Sequence, residues 1–511
     1  MDLPAWAPQG TRWHKLMVLD RLLDGTFYDH LKSAFYDEQD AQGRPIPLER
    51  RRPSTQYRLP RYVARWAARK LFAGRHVPKV RSKDKGVEEK VKDLLTNTRI
   101  WQTMREAAYR GTVGSVAVTF RAAEGKVGLK VWRAVWCSPV FDDFGELASL
   151  RVHYTTSGGA LRTAGLEVER ADETYWFIRD YTPEVELTYR PIQQDDWNPA
   201  EGFRKPDMQL EVHEEVKHGL GFVPGIWIAN PGEDRPDGCC LWEDAIPNSI
   251  EIDYLLSQAA RGSRYNCAPQ LVTQGEVKNG DEITRSPSTY LAFNAQHRDA
   301  EGEMVGGGDA KLLEMTGSGA DAALKVVEQL KKMALEQIGV VHKDPADMPG
   351  PLSGRAMEYL DDDAHDVAME WRSTYGDGGA LPLICKILKV LDSELDVSGL
   401  WLQWPRIYQP TPDDLNAMVS ALKQASTPSV IAPAQGEGGK PLVQDALLSP
   451  EIASAYLEAN MDLGILDDTD DGPAAGAPGN TPKPEDKPED AIVGSEGPFW
   501  NIYKPIKFKP R

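Results

Sequence analysis

Cysteine is scarce and long apolar runs are missing from this 511-residue chain. The five cysteines are Cys137, Cys239, Cys240, Cys267 and Cys385, and none forms a C-x-x-C pair. We therefore expect reduced thiols in a cytosolic setting. No stretch approaches the roughly 18 apolar residues of a membrane helix, and the first residues lack the basic-then-apolar order of a secretory signal. Neither a membrane-spanning nor an exported protein is expected.

The usual catalytic signatures are also missing. The sequence has no G-x-x-x-x-G-K-[ST] loop and no G-x-S-x-G elbow, which removes the standard signs of NTP hydrolysis and serine-hydrolase chemistry. Gly317-Ser318-Gly319 begins a G-x-G-x-x-A pattern, but no βαβ unit follows, so helix capping explains it. His213 and His218 are five residues apart, unlike the four-residue spacing of zinc ligands on a helix, and predict a charged turn.

Two acidic clusters also lack the residue pattern of a metal site. Asp467 to Gly472 begins like a calcium loop, but Pro478 stands where a bidentate Glu is required. The aspartates between Asp361 and Asp366 surround His365, yet neighbouring residues on a helix point in different directions, so a solvated acidic face is the simpler interpretation. We expect no metal, no cofactor and no enzymatic activity.

Composition indicates a large globular protein. Hydrophobic residues make up 41% and charged residues 27%, values of a folded soluble chain, and the length suits two to four domains. The net charge of −18 is unevenly distributed, because residues 44–93 contain 16 Lys or Arg against 5 Asp or Glu. These fifty residues carry a net charge of +11, so the remaining residues carry a net charge of −29.

Helices are predicted in the first hundred residues. The basic region predicts an amphipathic helix ending near Gly74. Its apolar positions at helical spacing are Tyr62, Val63, Trp66, Ala67 and Leu71, and the cations on other faces are Arg61, Arg65, Arg69 and Lys70. A second helix is predicted from Val87 to about Tyr109.

The period then changes to that of strands. Short runs rich in Val, Tyr, Trp and Thr, separated by Gly, Asp and Pro, predict an antiparallel, β-rich block over residues 112–230. These runs are GSVAVTFRA, KVGLKVWRAVW, LASLRVHYTT, TYWFIRDYT and VELTYRPI.

Helices dominate the rest of the predicted fold, which is α+β overall. Helices are predicted over residues 243–262 and 320–342, with a small mixed segment and a strand-like KLLEMT between them. Further helical patterns run through RAMEYLDDDAHDVAMEWRSTYG, interrupted at Gly376 to Gly379, then LPLICKILKVLDSEL, PDDLNAMVSALKQAS and SPEIASAYLEANMDLG; WLQWPRIY predicts one returning strand. Beyond Asp467 an acidic, proline-rich segment predicts disorder. The end, PFWNIYKPIKFKPR, is either a tethered binding peptide or a frayed terminus.

The order of segments resembles that of tailed-bacteriophage portal proteins over roughly residues 15–465. The resemblance depends on HGLGFVPGIWIANP, Gly238 and the helix IPNSIEIDYLLSQAARGSRYNCAPQLVTQG, then on LLEMTGSGADAALKVVEQLKKMALEQIGV and PLSGRAMEYL. These segments are similar to the family's Gly-x-Pro-apolar strand, its two stem helices and the Ser-Gly before the next helix. The loop before Ser353-Gly354 departs from the pattern, since it is short and rich in proline.

The resemblance implies a division of the chain into portal domains. They are a wing (1–242 and 353–410), stem helix 1 (243–263), a clip (264–318), stem helix 2 (319–342), a channel loop (343–352), a helical crown (411–466) and a disordered tail with an aromatic-basic end (467–511).

It also implies a structural role in the virion. Family members form a ring of about twelve subunits at one capsid vertex, through which double-stranded DNA is packaged and ejected. The implied partners are other copies of the chain, large terminase, the major capsid and scaffolding proteins and the head-tail adaptor, with assembly in the host cytoplasm and no membrane. Twelve chains at −18 would carry −216, a charge that repels DNA and keeps it sliding.

Candidate channel residues follow from the implied stem and loop. They are Lys325, Lys331 and Lys332 on the second stem helix, and His342 and Lys343 in the loop that leads to Ser353. The three helix lysines would contact phosphates or form salt bridges between subunits. The basic Arg50–Lys85 region would meet acidic partner surfaces, or contact DNA peripherally. The alternatives are another virion connector and, from 14 tryptophans and many carboxylates, a carbohydrate-active enzyme. A third alternative is a nucleic-acid-binding protein that uses the basic N-terminal helix, which the overall negative charge disfavours.

Overall fold

A computed structural model describes residues 10–123, 126–199, 201–203, 208–232, 236–267, 270–274, 297–298, 301, 304–305, 309–313, 318–340, 362–405, 412–426, 429–431 and 442–444. All of them belong to one compact unit, Met1–Asn460. Within it the chain mixes helix and sheet, as predicted for an α+β protein. The expected tail, 467–511, lies outside the described residues, as does the predicted helix SPEIASAYLEANMDLG.

The described helices are α1 (Arg12–Asp24), α2 (Leu59–Phe72), α3 (Lys85–Asn97), α4 (Ile100–Gly111), α5 (Gly158–Thr163), α6 (Ile246–Cys267), α7 (Ser318–Gln337), α8 (Asp362–Arg372), α9 (Leu381–Leu391) and α10 (Pro412–Ser426). A π-helical segment, Ser373–Ala380, joins α8 to α9. Short 3-10 turns occur at Phe27–His30, Leu48–Arg50, Gly74–His76 and Ala134–Trp136.

The described strands are β1 (Ser33–Ala34), β2 (Arg51–Arg52), β3 (Lys79–Ser82), β4 (Ser115–Ala123), β5 (Lys126–Arg133), β6 (Cys137–Phe141), β7 (Leu147–Ser157), β8 (Thr174–Tyr181), β9 (Val185–Tyr189), β10 (Ile192–Gln193), β11 (Trp197–Asn198), β12 (Gly202–Phe203), β13 (Val212–Lys217), β14 (Gly225–Ala229), β15 (Gln270–Gln274), β16 (His297–Arg298), β17 (Met304–Val305), β18 (Asp309–Leu313), β19 (Leu400–Gln403), β20 (Ser429–Ile431) and β21 (Leu442–Gln444).

The β-rich block is antiparallel, as predicted. Its largest sheet has the order β13-β9-β8-β7-β6 with β10 beside β8, and a second sheet has the order β14-β4-β5. The predicted returning strand is β19, which pairs antiparallel with β3 over four residues. This pairing joins two parts of the chain that are more than three hundred residues apart.

The main core forms where helices cover the second sheet. Leu71 of α2, Met104 of α4, Val118 of β4 and Ile384 of α9 are fully buried in one cluster, which the π-helical segment joins through Tyr375. A second cluster packs α1 and α2 against the last turn of α7 and the residues that follow it. The N-terminal helices thus contact both the sheet and the long helix α7.

The prediction of one helix from Val87 to Tyr109 is wrong, because the chain breaks between α3 and α4. Thr98 takes an extended conformation and its amide and hydroxyl both bond the Leu94 carbonyl, at 2.9 and 2.7 Å. Arg99 is also non-helical. The break lets the two helices bury separate apolar faces, one of them carrying Ile100 and Met104.

The predicted interruption at Gly376 to Gly379 is not a break either. The backbone continues as a π-helical segment between α8 and α9. A Cβ on Gly376 would overlap the Trp404 ring, and one on Gly379 would approach Ile228 at 2.7 Å. The glycines therefore permit close packing against β14 and β19 rather than ending the helix.

The charged run at His213 is a strand instead of the predicted turn. It forms β13, where Glu214 pairs with Thr188 and Val216 pairs with Glu186 of β9. All six of its side chains are exposed. Charges suit this place, because they protect the edge of a sheet from pairing with other chains.

Candidate channel helices

The two longest described helices form an antiparallel pair. The amide of Asn248, in the first turn of α6, donates to Oε1 of Gln337, the last residue of α7, at 3.0 Å. Val327 and Ala334 are buried on α7, and Ile338 is buried just past its end.

Both helices differ in extent from the prediction. The first was expected at 243–263 and runs from Ile246 to Cys267. The second was expected to reach residue 342 and ends at Gln337. Gly339 adopts the left-handed conformation there, φ 72°, and the Val340 amide bonds the Leu335 carbonyl at 2.8 Å. This is the hydrogen bonding by which a glycine closes a helix end.

Strands β15 and β18 lie in the segment between the two helices. They pair antiparallel, with Gln270 opposite Leu313 and Gln274 opposite Asp309. KLLEMT was predicted as a strand, and residues 311–313 of it are confirmed in β18. The chain order is therefore helix, strand, strand, helix, with short β16 and β17 between the outer strands.

A buried carboxylate fixes α6 to the N-terminal part of the chain. Asp253 accepts hydrogen bonds from the Tyr28 hydroxyl at 3.1 Å and the Tyr57 amide at 2.6 Å. One turn further on, the Ser257 hydroxyl accepts from the Thr55 amide at 3.0 Å. Burial raises the pKa of Asp253 to about 6, although both hydrogen bonds favour the ionised form.

The predicted lysines of α7 do not share one face. Lys325 and Lys332 are exposed and seven residues apart, so they lie above one another along a single stripe. Lys331 is half-buried on a different face, with its Nζ 4.2 Å from the centre of the Tyr57 ring. The structure thus places Lys325 and Lys332 on one stripe and directs Lys331 toward Tyr57 of the same chain.

The other two candidates, His342 and Lys343, lie outside the described residues, as does the whole of the predicted channel loop. The sequence motifs that were not predicted to be sites lie only partly within the described residues. Ser318 begins α7, and within the described residues no group of three His, Cys, Asp or Glu side chains is placed to hold a metal ion. Asp361 and the calcium-like loop at Asp467 fall outside that part of the chain.

Sequence reasoning missed a buried guanidinium. Arg372 is 4% exposed, its Nε and Nη2 have no hydrogen-bond partner among the described residues, and it lies over the Trp404 ring at 5.0 Å. Burial lowers the pKa of Arg372 to about 10. An arginine at the end of an amphipathic helix gives no sign in the sequence that it points inward.

No protein-family model matches the chain, and no curated protein matches it. None of the described helices is long and apolar enough to span a bilayer.

Proposed function

We propose that this chain is the subunit of a portal ring, the channel at one capsid vertex through which double-stranded DNA is packaged and later ejected. The observation that carries the proposal is the antiparallel pair α6 and α7, with the antiparallel strands β15 and β18 between them in the chain. The portal proteins that the sequence resembles have this order, in which two stem helices flank a clip. On this proposal the β-rich block and the β3–β19 pair belong to the wing, and α10 to the crown.

Exposed apolar side chains on α7 support assembly into a ring. Val326 is 44% and Met333 51% exposed, although both lie on a long helix whose opposite face is buried. They are seven residues apart and so form a stripe, which runs beside the stripe of Lys325 and Lys332. A neighbouring copy of the helix would cover the apolar stripe and leave the lysines toward the channel, where they meet passing phosphates. The Lys331 ammonium would stay with Tyr57.

The remaining partners follow from the same proposal. Large terminase would dock on the ring during packaging and the head-tail adaptor afterwards, while capsid and scaffolding proteins surround the wing. None of these steps requires a cofactor or a catalytic residue, because a conduit acts by shape and by a surface that does not retain DNA.

The proposal is tested by the native mass of the purified protein with negative-stain images of the same sample. We expect rings with a central hole and about twelve-fold symmetry. Val326→Glu/Met333→Glu places charge on the apolar stripe and should reduce the rings to smaller species. Val140→Glu/Phe144→Glu is the matched control, since these side chains are 55% and 93% exposed in and beside β6. A wild-type protein that stays monomeric at high concentration contradicts the proposal.

A further inference from the structure

A concentration of positive charge lines a groove beside α2. The groove has a volume of about 860 Å³. Six cationic side chains line it: Arg58, Arg61, Arg65, Arg69, Lys70 and Arg105. No carboxylate is among its lining residues. The charge of this groove is therefore opposite in sign to the net charge of the chain, which is −18.

The folding of α2 and α4 explains why the cations converge. Their apolar faces pack together through residues such as Leu71 and Met104, which are fully buried. The opposite face of α2 then presents Arg61, Arg65 and Arg69 at four-residue intervals, about 6 Å apart along the axis. Arg105 comes from α4, so two helices fix the positions of the charges.

The charges in the groove are incompletely neutralised. Within the described part of the chain, no acidic side chain forms an ion pair with the exposed Arg65, Arg69 or Arg105. The Nε of Arg61 is buried and has no hydrogen-bond partner there. A row of guanidinium groups without acids is suited to an anion that repeats along a line, and each group can bind a phosphate through two parallel hydrogen bonds.

Aromatic rings stand among the cations. Tyr57, Tyr62 and Trp66 also line the groove, and Tyr62 is 39% exposed. Aromatic side chains beside a basic groove provide surfaces on which bases stack. We infer that this groove binds the phosphodiester backbone of nucleic acid, with Arg65, Arg69 and Arg105 on phosphates and Tyr62 against a base. This binding does not depend on the proposed ring.

The main competing occupant is acidic polypeptide, and the chain itself contains such a segment at residues 467–490. That segment has eight acids, but they fall in two groups separated by thirteen residues without an acid, and it has no aromatic side chain. It would balance part of the charge while leaving Tyr62 without a stacking partner. The regular row of arginines and the exposed ring both favour nucleic acid.

The test is fluorescence anisotropy of the full chain with labelled 20-nucleotide single-stranded and 20-base-pair duplex DNA. With three phosphate contacts, log K for the duplex should fall with log salt at a slope of about −2.7, so fourfold more salt weakens binding about 40-fold. Arg65→Ala/Arg69→Ala should reduce the slope by about 1.8. Tyr62→Ala should weaken single-strand binding by about tenfold. Tighter binding of the single strand or of the duplex shows which of the two forms the groove binds.

Controls separate this site from general charge and from assembly. Lys83→Ala/Lys92→Ala removes two exposed cations of the same basic region outside the groove and should leave the slope unchanged. Melting temperatures and native masses of both double variants should equal those of the wild type. Equal loss of DNA binding in the two double variants would overturn the inference. So would a groove that binds a labelled 467–490 peptide and no DNA.

Discussion

The hydroxyl of Tyr375 donates a hydrogen bond to Oδ1 of Asn230 at 2.8 Å, inside the main core. The Asn230 amide in turn donates to the carbonyls of Gly111 and Cys239, at 2.9 and 2.8 Å. The π-helical segment, the end of β14 and the end of α4 are therefore tied together by one amide. The network explains why Gly111 has no side chain, since a Cβ there would overlap the Tyr375 hydroxyl.

Removing one hydroxyl from this network should be costly. Tyr375→Phe leaves Oδ1 of Asn230 buried without its donor, so the free energy of unfolding should fall by about 1–3 kcal/mol, measured by urea denaturation. Tyr62→Phe is the control, because that ring is 39% exposed, and it should change stability by less than about 0.5 kcal/mol. Similar losses in both variants would mean that the network adds no stability.

The close packing of the π-helical segment gives a second prediction. Gly376→Ala places a methyl group against Trp404 and should lower the free energy of unfolding by about 1–3 kcal/mol through overpacking. Gly378→Ala is two residues away in the same segment, and its Cβ would meet the Ser373 carbonyl at an ordinary 3.5 Å. Thermal unfolding of both variants checks the difference, and equal melting temperatures would contradict it.

Acid should destabilise the protein through His153. Its imidazole lies among Trp13, Trp176 and Trp197, and burial, with repulsion from Arg12 and Arg151, lowers its pKa to about 3. The unfolded chain binds this proton near pH 6.5. The contribution of His153 to stability is therefore present above pH 6.5 and is lost as pH falls toward 3, by up to about 1.4 kcal/mol per pH unit.

His153→Phe should remove that part of the pH dependence, as measured by urea denaturation between pH 4 and pH 8. The same substitution at the exposed His213 of β13 is the control and should leave the acid slope in place. An unchanged slope in His153→Phe would show that other groups cause the acid sensitivity.

Asp253 should have the opposite effect on the pH dependence of stability, because its contribution falls as pH rises. Burial raises its pKa from 3.8 to about 6, so the folded chain holds this proton more tightly than the unfolded chain. Stability from this group is present below about pH 4 and falls as pH rises through 6. Asp253→Asn keeps an oxygen for the Tyr57 amide and should remove the fall, which pH-dependent unfolding measures. A fall of the same size in the variant would contradict the assignment.

The two neighbouring lysines of α7 should behave differently. Lys331→Ala removes a cation from the Tyr57 ring and should lower the free energy of unfolding by about 0.5–1 kcal/mol. Lys332→Ala alters an exposed position and should have almost no effect on stability in the monomer. Urea denaturation of the two variants makes the comparison, and equal effects would mean that the contact of Lys331 with Tyr57 adds no stability.

Much of the local structure was predictable because its signal repeats along the chain. Val63, Ala67 and Leu71 recur at helical spacing and are buried in α2, and the Val- and Tyr-rich runs form antiparallel strands. The break at Thr98 carries no such signal, since only two residues, Thr98 and Arg99, leave the helical conformation. The role of Gly376 and Gly379 was not predictable for a related reason. They leave room for the side chains of Trp404 and Ile228, which are distant in sequence.

In the candidate sites too, features set by helical spacing were predictable and features set by tertiary packing were not. Exposure of Lys325 and Lys332 follows from helical geometry, whereas the contact of Lys331 with Tyr57 depends on a segment more than two hundred residues earlier. The arginines of α2 were predicted to avoid the apolar face, and they do. Their convergence with Arg105 required the packing of two helices, which spacing within one helix does not reveal.

The pairing of β3 with β19 sets the order in which the chain completes its structure during synthesis. The ribosome must add the more than three hundred residues between Ser82 and Leu400 before β3 finds its partner, which takes about 15–60 s. Throughout that interval β3 presents an unpaired edge, and the core lacks the apolar side chains of α9. We therefore expect a chain truncated before β19 to leave β3 unpaired and the main core without Leu400 and Leu402.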